Sequence, residues 1–257
     1  CVAAGGRVYA PLGFDAPVSA LDAATGQTLK VFPETRGTEE IIVHEGVLLA
    51  VVGAPAAEQA LVGTEKSGRK KPVAAPAHPA KAIVALRADS GEVLWRNSDP
   101  SLKSLRTLTL AASGQHVFYV DGGGIACIDL ATGRSLWRYQ VTMPPPGPLG
   151  QSSATLVVRD DVVLVALPGG DRGDELKRKG WTLTALSAEK GGMLWDSSCH
   201  GGSFSPPDVM VVSGLVWTSG FDEGHELRTG KTGKSSDVLD LLTTVGHHDR
   251  CYRNKAT

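Results

Sequence analysis

Residues 127–137 read CIDLATGRSLW. The same pattern stands at 20–30 (ALDAATGQTLK), at 85–95 (ALRADSGEVLW) and at 185–195 (ALSAEKGGMLW), with a degraded copy at 227–234 (LRTGKTGK). Each full copy opens on a short apolar run, such as Ile83-Val84-Ala85-Leu86. A polar loop follows and ends at Gly26, Gly91, Gly133 or Gly191. Such loops are commonly a type I turn followed by a left-handed residue, where glycine has no Cβ to clash. Thr25, Ser90 and Thr132 precede the glycine and are placed to hydrogen-bond back to the loop backbone. Four places after the glycine stands Trp95, Trp137 or Trp195, and Lys30 in the first copy. The unit reads as a β-hairpin.

A second hairpin pattern precedes each of these: VAAGGRVYA at 2–10, IVHEGVLLAVV at 42–52, AASGQHVFYV at 111–120, VVRDDVVLVAL at 157–167 and VVSGLVWTS at 211–219. Together the two hairpins give four short antiparallel strands, the blade of a β-propeller. The step from Gly91 to Gly133, or from Gly6 to Gly46, is about 40 residues, a propeller period. A β-sandwich also spaces strands 8–12 residues apart, but it does not repeat one turn and one tryptophan. The expected fold is all-β: four-stranded antiparallel propeller blades, about five in number, in a single domain over 1–257. Only 234–244 suits a helical turn or two. Two insertions break the period. Residues 53–80, rich in Ala, Pro and Lys, predict an exposed mobile loop, and 168–180 is a shorter charged one. Insertions that recur at one place in a repeat fall on one face of the array, often the binding face.

Composition narrows the function classes. The 257 residues are 42% hydrophobic, enough to bury a core, and 31 glycines exceed the roughly 7% of average chains. Charge is balanced, 26 Lys+Arg against 27 Asp+Glu, so no global field favours nucleic acid or an anionic membrane. No run approaches the ~18 apolar residues of a membrane span. The cysteines, Cys1, Cys127, Cys199 and Cys251, show no CxxC spacing, which leaves a zinc ribbon or thioredoxin motif without support.

The ALDAATGQTL and CIDLATGRSLW copies resemble the repeat of the PQQ-like β-propeller family, which includes quinoprotein dehydrogenases and an outer-membrane-assembly lipoprotein. The resemblance covers nearly all of the chain and implies six to eight blades in a complete member. It also implies that Trp95, Trp137 and Trp195 pack between blades and do not stack on a ligand, in keeping with the weight of aromatics in cores. Counting blades predicts a fragment of a longer chain. Cys1 reads as part of an inner strand, which speaks against a lipid-anchored cysteine.

Family resemblance raises PQQ-dependent dehydrogenation. In such enzymes the cofactor carries the oxidation, calcium is held by acidic and Asn oxygens, and adjacent cysteines form a ring over the cofactor. This chain has no adjacent cysteines, only Asn97 and Asn254, and acidic residues such as Asp22, Asp89 and Asp129 in predicted outer turns. No catalytic or cofactor residues are therefore assigned, and PQQ with calcium stands as the alternative. A second concentration of chemistry is CHGGSFSPPD at 199–208 with GHHDRCYR at 246–253. Three readings fit it: a Cys199–Cys251 disulfide, a metal site using His200, His247 and His248, or a hydrogen-bonded polar network. A disulfide requires an oxidising compartment, and the histidine pair is suited to titrate near neutral pH.

Other motifs carry less. Ser205 and Ser213 stand near His200, but no GxSxG elbow occurs. Gly122-Gly123-Gly124 lies between two predicted strands and reads as a turn, since a phosphate loop needs a following helix. Met143 to Pro148 is a stiff inter-blade connection, and Lys66, Arg69, Lys70 and Lys71 are a solvated patch of the first insertion. The function expected is a non-catalytic bacterial recognition scaffold binding a protein, peptide or glycan through loops on one face. It is placed in the periplasm or otherwise outside the cytoplasm, with further blades or a fused domain in the parent chain.

Overall fold

The computed structural model describes residues 1–53, 80–141, 154–168, 181–199, 206–218 and 224–233. Both predicted insertions and the 234–257 segment lie largely or wholly outside these residues. Five four-stranded antiparallel sheets are formed. Sheet 1 holds β1 (Val2–Ala4), β2 (Arg7–Pro11), β3 (Val18–Asp22) and β4 (Thr28–Phe32). Sheet 2 holds β5 (Thr38–His44), β6 (Val47–Val52), β7 (Ala82–Arg87) and β8 (Val93–Asn97). Sheet 3 holds β9 (Ala111–Ser113), β10 (His116–Asp121), β11 (Gly124–Asp129) and β12 (Ser135–Gln140). Sheet 4 holds β13 (Thr155–Arg159), β14 (Val162–Pro168), β15 (Trp181–Ser187) and β16 (Met193–Cys199). Sheet 5 holds β17 (Val209–Val212), β18 (Leu215–Thr218), β19 (Gly224–Glu226) and β20 (Thr232–Gly233). The strands follow chain order across every sheet, so each sheet is a four-stranded meander. The expected all-β propeller blades are present, including the one built on the degraded fifth repeat.

Two short 3-10 helices, Pro33–Thr35 and Pro100–Ser104, were not expected. Each has proline in its first turn, where the missing N–H costs no helical bond. Asp99 caps the second by accepting from the Ser101 N–H at 2.8 Å.

The chain divides into two compact units. The first comprises Cys1–Leu105 with Asp129–Arg134. Its core packs Tyr9, Val18, Ala20 and Phe32 of sheet 1 onto Leu48, Ala50, Val84 and Leu86 of sheet 2. The second comprises Arg106–Ile128 with Ser135–Thr257. One of its cores joins Phe118, Val120 and Ile125 of sheet 3 to Val163, Val165 and Leu186 of sheet 4. Another joins Leu164, Leu183 and Trp195 of sheet 4 to Val216 of sheet 5 and to Leu227 in the turn after β19. The middle strands of sheets 2, 3 and 4 are covered on both faces, which explains why they read as continuous apolar runs and not as alternation. Val162 to Ala166, for instance, are all fully buried.

The repeated turn has one geometry throughout. Gly26, Gly91, Gly133, Gly191 and Gly230 all have positive φ. Their N–H groups donate to the carbonyls of Asp22, Arg87, Asp129, Ser187 and Glu226 at 2.8–2.9 Å. In sheets 1 to 4 a β-bulge follows, with a register shift at Ala20/Leu21, Ala85/Leu86, Cys127/Ile128 and Ala185/Leu186. A bulge re-aims the side chain beside it. Here that side chain is Lys30, Trp95, Trp137 or Trp195, paired across the strand with Ala20, Ala85, Cys127 and Ala185.

Candidate functional site

The two ends of each blade are chemically unlike. Because the strands alternate in direction, the first-to-second and third-to-fourth turns share one end. The second-to-third connection and the exit from the fourth strand share the other. The first end is made of short, repeated turns, here called the turn end. The second carries the connections that are longest in sequence and, among the described residues, both 3-10 helices; it is here called the connection end.

At the turn end the recurring large side chains are committed to structure. Trp95 is 9% exposed and its indole N–H donates to the Leu130 carbonyl at 2.7 Å. Trp137 donates to the Ala188 carbonyl and Trp195 to the Leu227 carbonyl, each at 2.9 Å. The same three rings lie against Gly133, Gly191 and Gly230, where a Cβ would come within 2.5–2.7 Å of ring atoms. The glycine thus meets two demands at once, a positive φ and a close flat neighbour. Lys30 fills the equivalent place in sheet 1: a Cβ on Gly91 would meet its Cε at 2.5 Å. Lysine has no indole, and the Ala88 carbonyl accepts from Arg7 Nη1 at 3.3 Å. No neighbour lies within 4 Å of a Cβ built on Gly26.

The turn carboxylates are engaged locally. Asp22 accepts from the Thr25 hydroxyl and the Thr25 N–H, both at 2.8 Å, and these bonds with that from the Ala24 N–H hold its pKa below the ordinary value. The Ser90 N–H does the same for Asp89. Asp129 accepts from the Thr132 hydroxyl at 2.6 Å and the Thr132 N–H at 2.8 Å. Thr25, Ser90 and Thr132 oxygens accept from the N–H two residues on, at 3.3–3.4 Å.

The connection end differs from blade to blade. In the first unit the β2–β3 loop raises Leu12, 59% exposed, and Phe14, 91% exposed. Its base is pinned by Asp15, which has φ 57 and accepts from Arg36 Nε at 3.0 Å. Beside it Lys81 donates to Glu39 at 2.7 Å and to the Leu105 carbonyl at 3.4 Å. In the second unit Asp121 is fully buried, paired bidentately with Arg138 at 2.7 and 2.8 Å, and also accepts from the Gly123 N–H at 2.8 Å. The glycine run 122–124 thus closes a β10–β11 hairpin beside a buried carboxylate whose arginine partner reaches solvent. Arg106, 6% exposed, enters β9 from the preceding crossover, and burial pushes its guanidinium pKa down. Sequence reasoning missed Leu12 and Phe14. The available signal was two large apolar residues in a loop bounded by Pro11 and Pro17.

Of the C-terminal cluster, Cys199 and Asp208 are described. Cys199 ends β16, paired across the strand with Trp181, and is 1% exposed. Burial pushes its thiol up to about 12. His200, His247, His248, Asp249, Arg250 and Cys251 lie outside the described residues. Among the described residues no three His, Cys, Asp or Glu side chains group as metal ligands. The described residues do not fit a PQQ–calcium cradle either. Asp22 and Asp129 are bound to their own turns, Asp121 is bound to Arg138, and the buried Cys127 and Cys199 belong to different sheets.

Four-stranded antiparallel blades linked by a recurring tryptophan-on-glycine contact make this a β-propeller protein. Residues 15–198 match the family described as outer membrane protein assembly factor BamB, and the chain belongs to that family. Among solved structures it is similar to BamB from Moraxella catarrhalis, at 16% identity and a TM-score of 0.54, over 88% of this chain and 62% of that one. It is also similar to the quinohemoprotein alcohol dehydrogenase ADHIIG from Pseudomonas putida HK5, at 15% and 0.54, over 90% of this chain and 40% of that one. A europium-containing methanol dehydrogenase aligns at 13% and 0.51, over 89% and 49%. At such identities the likeness concerns the fold alone, and the chain spans less than two thirds of each. No curated protein matches the sequence. Among the described residues no helix is long and apolar enough to cross a membrane.

Proposed function

We propose that this chain is a non-catalytic recognition module that binds a protein or peptide through the connection end of its blades. Leu12 and Phe14 are the apolar anchor of the first unit. The observation that carries the reading is the exposure of Phe14, 91%, on a loop whose base is fixed by the Asp15–Arg36 pair. A large aromatic held in water on a braced loop gains most by entering a partner's pocket. Among the described residues the turn end carries no exposed aromatic of this kind. The family description, an outer membrane protein assembly factor, supports an extracytoplasmic setting and a protein as the partner. The same likeness supports no substrate, because a fold hosts unrelated functions.

The test compares the chain with its Leu12→Ser/Phe14→Ser variant in affinity enrichment from a bacterial envelope extract, read by quantitative mass spectrometry. Both are also titrated with PQQ and calcium by calorimetry. Burying two such side chains contributes roughly 1.5–3 kcal/mol each, so the variant is expected to retain a specific partner at least tenfold less well. Equal retention by the two proteins overturns the assignment of the site. Saturable, calcium-dependent PQQ binding near one equivalent overturns the non-catalytic reading and makes the chain part of an oxidoreductase.

A further inference from the structure

A thioether bridges sheets 3 and 4. Met193 opens β16 beside the turn of sheet 4, opposite Leu186, and is 50% exposed. The Tyr139 hydroxyl, on β12 of sheet 3, donates to its Sδ at 3.6 Å. The tyrosine ring is packed against the core that joins these two sheets, so the ring is anchored and its hydroxyl is held at the sulfur. The pairing is peculiar to this junction. By register, Phe32, Asn97 and Ser197 stand where Tyr139 does in its sheet, and Thr28, Val93 and Ser135 stand where Met193 does.

A thioether sulfur carries two lone pairs and accepts hydrogen bonds weakly. Tyr139 engages one of them, and the exposure of Met193 leaves the other open to solvent. Oxidation of the sulfur consumes one lone pair, and the choice between the two sets the handedness of the sulfoxide. The hydrogen bond therefore does more than brace the junction, because it screens one side of the sulfur. Met210, half-buried on β17, offers a comparison within the same chain.

We propose that Met193 is a stereoselective oxidation site, converted by hydroperoxides predominantly to one sulfoxide epimer under the control of the Tyr139 hydroxyl. The open lone pair attacks the terminal oxygen of the hydroperoxide. An S–O bond forms and the O–O bond breaks. The proton of the attacked oxygen passes to the departing one, which leaves as water from hydrogen peroxide or as an alcohol from an organic peroxide. Sulfur loses two electrons and the peroxide gains them. Each sulfoxide epimer is the substrate of a different methionine sulfoxide reductase, so the site matches a single repair partner. That enzyme restores the thioether by oxidising two thiols to a disulfide, and the oxygen leaves as water. The site is independent of Leu12 and Phe14, which belong to the other compact unit.

The folded 257-residue chain is treated with limiting hydrogen peroxide and digested, and the digest is divided between the two stereospecific sulfoxide reductases. Mass spectrometry with site-resolving fragmentation then reads the sulfoxide left at Met193 and at Met210. Met193 should oxidise faster than Met210, since susceptibility follows exposure. At Met193 one epimer should exceed the other about threefold or more, because oxidising the engaged lone pair first requires breaking a hydrogen bond. Tyr139→Phe, with far-UV circular dichroism reporting that it is folded, should bring the epimers to near equality. Oxidation of the wild type in urea should do the same, and it supplies the comparison if the variant does not fold. Equal epimers in the folded wild type overturn the proposal. So does an excess that survives in folded Tyr139→Phe or in urea, or oxidation of Met193 no faster than that of Met210.

Discussion

Substituting Gly191 by alanine isolates the contact that joins blades. Two costs add at this position. Its φ of +68° is left-handed, where an L-residue with a Cβ loses roughly 1–2 kcal/mol. The new Cβ also falls 2.5 Å from Trp137 Cε3 and 2.6 Å from Cδ2, both part of a rigid ring. Overpacking of that kind costs about 1–3 kcal/mol. The expected total is about 2–5 kcal/mol, a large share of the ~5–15 kcal/mol that holds an ordinary domain folded. Gly26→Ala is the matched control. It has the same turn and a φ of +72°, but nothing within 4 Å of the new Cβ, so only the backbone cost of roughly 1–2 kcal/mol remains. Urea unfolding of the two variants, followed by tryptophan fluorescence and far-UV circular dichroism at sub-micromolar protein, should separate them by about 1–3 kcal/mol. Truncating Trp137 to alanine in the Gly191→Ala background removes the ring the methyl strikes, so the double change should cost less than the sum of the singles. Equal losses for Gly191→Ala and Gly26→Ala, or additive behaviour with Trp137→Ala, would refute the stacking argument.

Arg138→Met takes the solvent-reaching bidentate partner from the fully buried Asp121, which keeps only the Gly123 N–H, and should cost about 1–3 kcal/mol in thermal or urea unfolding. Adding Asp121→Asn should recover much of that loss, and a double variant no more stable than Arg138→Met counts against the ion pair as the cause. For Cys199, burial raises the folded thiol to about 12 while the unfolded thiol titrates near 8.5. Its contribution is thus fully present below about pH 8.5 and is lost progressively as pH rises from there toward 12, because only the unfolded chain ionises. Under reducing conditions Cys199→Ala should lose less stability than the wild type between pH 8 and pH 10.5, and parallel alkaline losses in the two proteins would remove the thiol as their source.

The blades were legible because their signal recurs. A single ATG-turn hairpin is weak evidence, but four with the same glycine and a large residue four places on leave little else to build. The continuous apolar runs at 47–52 and 162–167 had no strand-like alternation, since both faces of a middle strand are buried. Repetition carried the reading where periodicity failed. The 3-10 turns after Phe32 and Asp99 escaped notice because proline there reads equally well as a break. The paired polar groups at the connection end were also illegible. Asp121 and Arg138 are far apart in sequence and meet only because β11 and β12 bring them to one end of a sheet. The histidine–cysteine cluster stood out by residue type alone. Of its members the structure describes Cys199 as a buried neighbour of Trp181 and leaves the histidines outside its reach.

Lys30 shows what the recurrent tryptophan does physically. A tryptophan combines two functions: a flat apolar cover for a turn that lacks a Cβ, and an N–H donor for the carbonyl of the next blade. In sheet 1 these functions are divided. The Lys30 stem covers Gly91, and Arg7, from a different strand, supplies the donor to Ala88. Both are therefore required of every junction, while the tryptophan is only the most economical residue that meets them. That requirement fixes the turn end of each blade, because altering a turn there disturbs a neighbour as well. The connection end bears no such repeated duty. Its loops are free to differ in length and chemistry, from the two glycines of sheet 3 to the Leu12–Phe14 knob of sheet 1. A scaffold so divided can change what it recognises without changing how its blades are held, which is why the search for a partner belongs at the connection end.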